Sequence, residues 1–453
     1  MSTRRAVLGA MAGAGSLGAA ALVGQLPQMA RMAHAAGEEY RALVVLFLDG
    51  GNDGHNLIVP TDAMYGDYQA ARSNLALPKN SLAALPGSAG GHTFGLHSAL
   101  ASLVPLYTQG RLGFIANAGP LVVPTTAEAA KTHAVDLPPF LLSHRDQVAI
   151  QQGWTVQDDS SGWAGRGLEL LPSELRHPIN AVTMSSTRTL VQGKRSRVSF
   201  MYGEGSRFWG PADLAIPKAL ATQQINRMAQ WQFANHYEAE YARTFGSAVD
   251  DSTRFTQALL QARNPTADFG VGGPAGSLRD LAKALPSFKA QGYKRQVFLV
   301  SWGGFDHHVN QRGNDPDTQD ARFAVMAKAL AAFDEANRAS GMDMNVVTLM
   351  MSDFGRTVRP GSGGGSEHAW GNHWFALGGP VNGGTMHGVF PSPVLGGPDD
   401  GDLNKNGRHV PTTSTDQVGA SVMQWMGLAP SAFHDVFPNL ANFERKTIPL
   451  LRV

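Results

Sequence analysis

The sequence predicts an α/β fold with a mainly parallel central sheet flanked by helices, and three observations carry that expectation. Apolar runs of strand length recur along the chain and stop at Gly, Asp or Ser; helical stretches lie between them; and 43% hydrophobic against 16% charged residues is ample for a large core. A run apolar at every position suits a strand covered on both faces, as parallel sheets require. Strands alternating with helices give the parallel topology.

The first such run is Tyr40–Leu48, cut off by Asp49-Gly50-Gly51, and it reads as a central strand. Arg111–Asn117, Gln296–Ser301 and Met344–Ser352 repeat the pattern. Helices are expected over Ala99–Gln109, His144–Gln152, Pro217–Thr244, Thr253–Arg263, Ser277–Ala290 and Thr318–Ser340. The Gly-rich piece Arg359–Ser366 and the stretch Pro391–His409 read as surface excursions. Residues 36–453 are therefore expected to form one domain with long loops.

Residues 1–35 read differently. Thr3-Arg4-Arg5 precedes an Ala/Gly-rich, weakly apolar stretch from Ala10 to Val23, and Ala33-His34-Ala35 supplies small residues for a signal peptidase. That pattern suits a twin-arginine export signal. The apolar stretch is too short and too poor in Leu, Ile and Val to span a bilayer, which takes roughly 20 strongly apolar residues. The expected location is periplasmic or extracellular, with no membrane span in the mature form. Export in the folded state favours a metal or cofactor acquired beforehand.

Composition removes other classes. With no cysteine, a disulfide scaffold and a thiolate metal site are excluded. With 37 basic against 36 acidic residues, there is no global positive field for nucleic acid.

Ligands of open α/β sheets lie outside the carboxyl ends of strands. Three such ends carry acids or imidazoles here: Asp49 with Asn52, Asp53 and His55; Asp306-His307-His308; and Asp353 with Arg356, followed by Glu367-His368 and His373. One Asp after a strand is ordinarily a cap or turn former, and one His can simply satisfy loop carbonyls. Three such ends in one chain point instead to a metal centre. Its donors would be drawn from Asp49, Asp306, His308, Asp353, His368 and His373. Mixed oxygen and nitrogen donors suit a divalent Zn, Mn or Fe, with Mg or Ca tolerated where oxygens dominate. Arg356 could clamp a substrate anion through paired hydrogen bonds or pair with a structural carboxylate. His144 could serve as leaving-group acid or as a further ligand.

Asp49-Gly-Gly-Asn-Asp-Gly54, Gly303-Gly-Phe-Asp-His-His308, Ser352-Asp-Phe-Gly-Arg-Thr357 and His368-Ala-Trp-Gly-Asn-His373, in this order, resemble the signature of domain-of-unknown-function family 1501. Ser143-His-Arg-Asp-Gln147 and Gly162-Trp-Ala-Gly-Arg166 resemble further motifs of that family. It is a twin-arginine-exported, distant branch of the alkaline phosphatase/sulfatase superfamily. The resemblance implies an alkaline-phosphatase-like fold. It also implies one metal held by Asp306, His308 and either His368 or His373. A second metal would use Asp49 and Asp353, but Phe354 stands where the superfamily places His. That site is depleted unless Asn52, Asp53 or His55 fills the gap, so one occupied site is the expectation.

Superfamily enzymes carry their nucleophile at a helix N-terminus, where backbone N–H groups favour an anion. Ser143 holds that position here. It would be activated by metal coordination, or it is simply an N-cap; Thr125-Thr126 is the second choice. With no cysteine and no Cys-x-Pro-Ser-Arg pentapeptide, a classical formylglycine sulfatase is not expected. The expected function is an exported metal-dependent hydrolase of phosphate or sulfate esters, acting on a small molecule or a polymer. The alternative is a non-catalytic binding or assembly protein, and the resemblance also implies an exported partner protein. Loops at 55–95, 190–215 and 385–410, with Tyr202, Arg207, Phe208 and Trp209, would set the substrate.

Overall fold

The computed structural model describes residues 39–153, 160–201 and 218–452. The expected export signal and Tyr202, Arg207, Phe208 and Trp209 lie outside the described residues. From Arg41 onward the chain forms one contact unit.

Its strands include β1 (Arg41–Leu48), β2 (Leu112–Gly119), β3 (Ala181–Thr183), β4 (Ser199–Phe200), β5 (Arg295–Trp302), β6 (Val346–Ser352), β7 (Arg356–Pro360), β8 (Ser366–His368), β9 (Asn372–Leu377), β10 (Met386–His387) and β11 (Thr413–Ser414). Nine of them form the central sheet in the order β10-β2-β9-β6-β1-β5-β3-β4, with β11 also on β2. Only β9 runs antiparallel to its neighbours β6 and β2; the other pairings are parallel. Flanking helices include α1 (His144–Gly153), α2 (Trp163–Glu169), α3 (Lys218–Ala229), α4 (His236–Gln261), α5 (Ala275–Ala290), α6 (Gln319–Ala339) and α7 (Thr415–Trp425). The mainly parallel α/β expectation holds.

Strand β1 lies at the centre because Ala42–Leu48 has no polar position to offer solvent, and all seven residues are buried. Leu48 pairs with Trp302 on one side and Ser352 on the other. Three parallel strands therefore end at one level, and the residues that follow them meet.

Some boundaries differ from expectation. The helix predicted over 217–244 breaks at residues 230–235, where the Asn235 side chain accepts from Tyr237 N–H and caps a new helix. That helix runs on through the stretch predicted separately as 253–263. Over 99–109 a 3-10 segment, Ser98–Leu103, precedes the α-turn Val104–Thr108. Pro105, which lacks an N–H, sits at the start of that turn. Strand β9 was not expected. Its Trp374–Leu377 run is apolar, but Asn372 and His373 beside it resemble site residues more than strand residues.

The two glycine-rich excursions are also ordered. Residues 359–366 close the β7–β8 hairpin and zip onto the loop after β5: Ser366 N–H donates to His307 O at 2.9 Å and Gln311 N–H to Gly364 O at 3.1 Å. A Cβ on Gly365 would fall 2.2 Å from His307 O, so the close approach requires glycine. In 391–409 the buried Asp400 carboxylate accepts from the N–H groups of Gly396, Asp402, Gly407 and Arg408 and fixes the loop around itself.

Asp53, after β1, is buried against Arg72, and Gln311 Nε2 donates to it at 2.6 Å. Arg72 Nη1 also donates to Thr357 O at 3.0 Å and ties β7 to the loop after β1. Removing one partner of a buried pair leaves the other charge uncompensated. Arg72→Met is expected to cost about 3–5 kcal/mol, and adding Asp53→Asn to recover much of it; urea unfolding of the two variants measures both.

Candidate metal centre

The loops after β1, β5 and β6, the start of α1 and the β8 hairpin strand converge on the Asp306 carboxylate. Asp306 Oδ1 lies 3.0 Å from His308 Nε2, 3.3 Å from His368 Nε2 and 3.4 Å from His144 Nε2. His144, Asp306 and His368 offer ligand atoms that all lie within 4.8 Å of one another. His308 Nε2 is 2.9 Å from His368 Nε2.

The second nitrogen of each ring fixes its tautomer. His144 Nδ1 is 2.6 Å from Asp353 Oδ2, His308 Nδ1 is 2.7 Å from Glu367 Oε2 and His368 Nδ1 is 2.7 Å from Leu142 O. Each of these partners is an acceptor, so each Nδ1 carries the proton and each Nε2 of the neutral ring presents a lone pair. Three Nε2 atoms thus point at one carboxylate, and His144 Nε2 is buried without a hydrogen-bond partner. Leu142 holds its carbonyl in place at φ +75°, a conformation Leu rarely adopts. Phe354 closes the floor, its ring 4.6 Å from that of His144 and 4.7 Å from that of His368.

Electrostatics follow from these neighbours. Burial opposes ionisation of Asp306, but the hydrogen bond and charge of Arg356, with His144 and His308, outweigh it and hold the carboxyl well below the usual range. The Asp353 hydrogen bond raises the His144 pKa against burial. Burial lowers that of His368, with the Arg356 charge adding.

Several expected site residues have other roles. Arg356 is 1% exposed and surrounded by the carbonyls of Gly50, Gly51, Phe305 and Ser366 together with Asp306 Oδ1. A buried guanidinium held this way does not face a substrate; it locks the three loops and orients Asp306. Asp353 is saturated: it accepts from Gly51 N–H at 2.5 Å, Ser352 Oγ at 3.0 Å and His144. It therefore stands behind His144 as an orienting group. Asp49 accepts from Ser301 Oγ; burial, with repulsion from Asp353, raises its pKa against that bond. Nothing fills the gap left by Phe354, since Asn52 is bonded to Asn372, Asp53 to Arg72 and His55 Nε2 to Arg356 O.

His373 does not join the cluster. Asn117 N–H donates to its Nδ1 at 3.2 Å, so Nε2 of the neutral ring carries the proton, buried without a hydrogen-bond partner. Its ring stacks on Phe390 and lies 5.7 Å from that of His55. Of the two imidazoles left open by sequence, His368 faces Asp306 at 3.3 Å and His373 packs on Phe390. Ser143 precedes α1 and its hydroxyl donates to Asp146 Oδ2 at 2.5 Å. Thr125 and Thr126 use their hydroxyls locally, on Val123 O and Ala129 N–H. Sequence reasoning missed Glu367, whose adjacency to His368 was a signal, and Leu142, whose contribution is a backbone carbonyl and left none.

With this geometry in view, a protein-family model described as "Protein of unknown function (DUF1501)" matches residues 40–418. The chain belongs to that family. No curated protein matches this DUF1501 chain. Among solved structures it is similar to the lipoteichoic acid synthase LtaP from Listeria monocytogenes, with 9% identity over 87% of this chain and 73% of that one, at TM-score 0.34. It is also similar to the C-terminal periplasmic domain of EptC from Escherichia coli in complex with Zn, with 10% identity over 76% and 74%, at TM-score 0.29. A third similar structure is a putative sulfatase from Bacteroides thetaiotaomicron, with 8% identity over 86% and 72%, at TM-score 0.32.

Behind the centre, His55, His373 and His409 form a buried imidazole group with centroids 5.7 and 5.1 Å apart. Burial lowers His55 well below its ordinary value, His373 to about 3 and His409 to about 4. The unfolded chain protonates these rings near 6.5, so it binds up to three more protons than the native state as pH falls from about 6.5 towards 4. Asp416, raised to about 7 by burial, opposes them with one proton. The native state is therefore expected to lose stability between pH 7 and 5, at up to about 1.4 kcal/mol per pH unit for each net proton. His409→Phe should reduce that loss, read as the difference in urea midpoint between the two pH values.

Proposed function

We propose that this DUF1501 protein is a metal-dependent hydrolase of phosphate or sulfate esters, with one divalent ion held by Asp306, His144, His308 and His368. The single observation that carries the reading is the 2.9 Å approach of His308 Nε2 to His368 Nε2 while both Nδ1 atoms are committed to acceptors. Two lone pairs at that distance repel unless a cation lies between them or one ring is doubly protonated. Three nitrogens and one carboxylate oxygen form a donor set suited to Zn, Mn or Fe. Such an ion polarises a phosphoryl or sulfuryl oxygen and neutralises charge that develops there.

The chain's own residues supply the rest. Asp353, Glu367 and Leu142 O hold the three imidazoles in the ligating tautomer, and Arg356 holds Asp306 ionised. Ser143, at the head of α1, is the nucleophile in this reading, with Asp146 placed to accept its proton. His144 moves from leaving-group acid to ligand, because its Nε2 faces Asp306. Asp49, beside the saturated Asp353, orients the loop after β1, so one ion is bound and not two. The substrate is an ester on a small molecule or a polymer. Export by the twin-arginine route and an exported partner protein belong to the same reading; no helix among the described residues is long and apolar enough to cross a membrane.

A second reading, a binding protein that keeps the centre without turnover, is favoured by the enclosed Arg356, whose guanidinium is committed to carbonyls and Asp306 and not to a substrate anion. Elemental analysis of protein purified without chelator is expected to give one equivalent of metal. Asp306→Ala with His308→Ala should abolish it while the circular dichroism spectrum stays native; stoichiometric metal in that variant would sink the ligand assignment. Glu367→Gln should weaken metal binding by about 10–100-fold, read by chelator competition. Ser143→Ala should keep the metal and lose turnover of aryl phosphate or aryl sulfate esters, and a loaded wild type inert to both would favour the binding reading.

A further inference from the structure

Among the described residues four large aromatic side chains are exposed, and three of them, Trp231, Tyr237 and Tyr241, lie close together in the chain; the fourth is Phe140. Helix α3 ends at Ala229, and a Cβ on Gly246 of α4 would fall 2.5 Å from the Cβ of that alanine, so the two helices touch there. The ten residues of α4 before Gly246, His236–Phe245, therefore run on for about 15 Å past the end of α3. Of those ten only Ala242 is buried.

Tyr237, Tyr241 and Phe245 are four apart and so share one stripe of α4. The rings of Tyr241 and the partly buried Phe245 stack with centroids 6.0 Å apart, and Trp231 and Phe233, in the segment between the helices, lie 6.2 Å apart. Trp231, Tyr237 and Tyr241 are 60%, 87% and 70% exposed. At about 150–250 Å² for each such residue they present roughly 300–550 Å². A patch of that size on a single chain marks an interaction surface. It is also nearly free of charge. Arg243, which pairs with Glu240 within the chain, stands on the far side of α4 from Tyr241, about 160° round the helix, and leaves Glu238 at the edge of the stripe.

We propose that this face joins two copies of the chain about a two-fold axis at Tyr241. The spacing carries the choice of partner. Reversing the stripe Tyr237–Tyr241–Phe245 about its middle residue returns the same stripe. An antiparallel copy therefore sets Tyr241 on Tyr241, and Tyr237 of each chain on the Tyr241–Phe245 stack of the other. A two-fold contact requires that self-complementarity. Counted on both copies the exposed rings contribute roughly 600–1,100 Å², and their polar surroundings bring the total to about the 1,200 Å² at which specific interfaces begin. A bilayer fits less well, because interfacial helices carry Lys and Arg beside their rings, whereas Glu238 stands here and Arg243 points away. The inference goes beyond the hydrolase reading and does not depend on it, since the face contains none of the residues of the metal centre.

The test is sedimentation velocity of the full chain between about 1 and 100 µM, the range in which a contact of this size dissociates. The wild type is expected to pass from monomer to dimer over that range. Tyr241→Lys, which sets two ammonium groups against each other on the axis, should weaken the dimer about tenfold or more, and Tyr241→Phe should stay near wild type; circular dichroism checks that both remain folded. Because the chain has no cysteine, Tyr241→Cys places a single thiol at the axis, and mild oxidation should join two copies through it. Leu403→Cys, at a 74% exposed position elsewhere, should remain uncrosslinked under the same conditions. A wild type that stays monomeric, whether or not it binds phosphatidylglycerol vesicles, a dimer as tight in Tyr241→Lys as in wild type, or equal cross-linking of the two cysteine variants would each overturn the proposal.

Discussion

The register of three adjacent parallel strands governs this molecule. Leu48 is level with Trp302 and Ser352, so β1, β5 and β6 release their chains at the same height. Every residue of the candidate centre depends on that coincidence. A parallel sheet buried on both faces leaves polar side chains only at strand ends, and at this edge the ends deliver Asp49, Asp306 and Asp353 into one small space. Arg356 then binds the three loops together through their carbonyls. Its charge fixes the ionisation of Asp306, so the feature that builds the site also sets its electrostatics.

Around Asp306 the geometry is decided by atoms one step removed from the imidazole nitrogens that face it. A neutral imidazole has one lone pair, and the acceptor at its other nitrogen decides where that lone pair points. Asp353, Glu367 and Leu142 O make three such decisions in the same sense, whereas Asn117 N–H makes the opposite one at His373. Histidines whose Nε2 faces Asp306 are thereby separated from His373 by hydrogen-bond direction, a property the residue type does not carry. Phe354 belongs to the same pattern. Where a ligand is implied by resemblance, an aromatic ring packs against two imidazoles.

The cost of concentrating so many polar groups is met, for the buried carboxylates, by close pairing. Asp53 has Arg72 and Gln311, Asp400 has four backbone N–H groups, and Asp353 has the turn at Gly50-Gly51 as well as His144. Buried carboxylates are tolerable only when compensated in this way. Each of them also fixes a loop. Long excursions that look loose by composition, such as 359–366 and 391–409, are therefore ordered, and their glycines serve close contacts more than freedom.

By itself, the sequence determined the class of fold and the addresses of the chemistry. Apolar runs such as Ala42–Leu48 have only one stable environment, and the acids and imidazoles that follow such runs must cluster at one edge of the sheet. Asp306, His308 and His368 were legible for that reason, as was the start of α1 at His144. The tertiary structure alone decided which nitrogen of which histidine is available, whether Arg356 faces a substrate or the backbone, and that Asp353 supports His144. These outcomes depend on hydrogen bonds between residues 200 to 300 positions apart and on carbonyls such as that of Leu142, and contacts so remote leave no local pattern in a chain. Strand β9 was hidden by the same physics: Asn372 and His373 are polar, and only their pairing with β2 and the loop after β1 makes a buried strand hospitable to them.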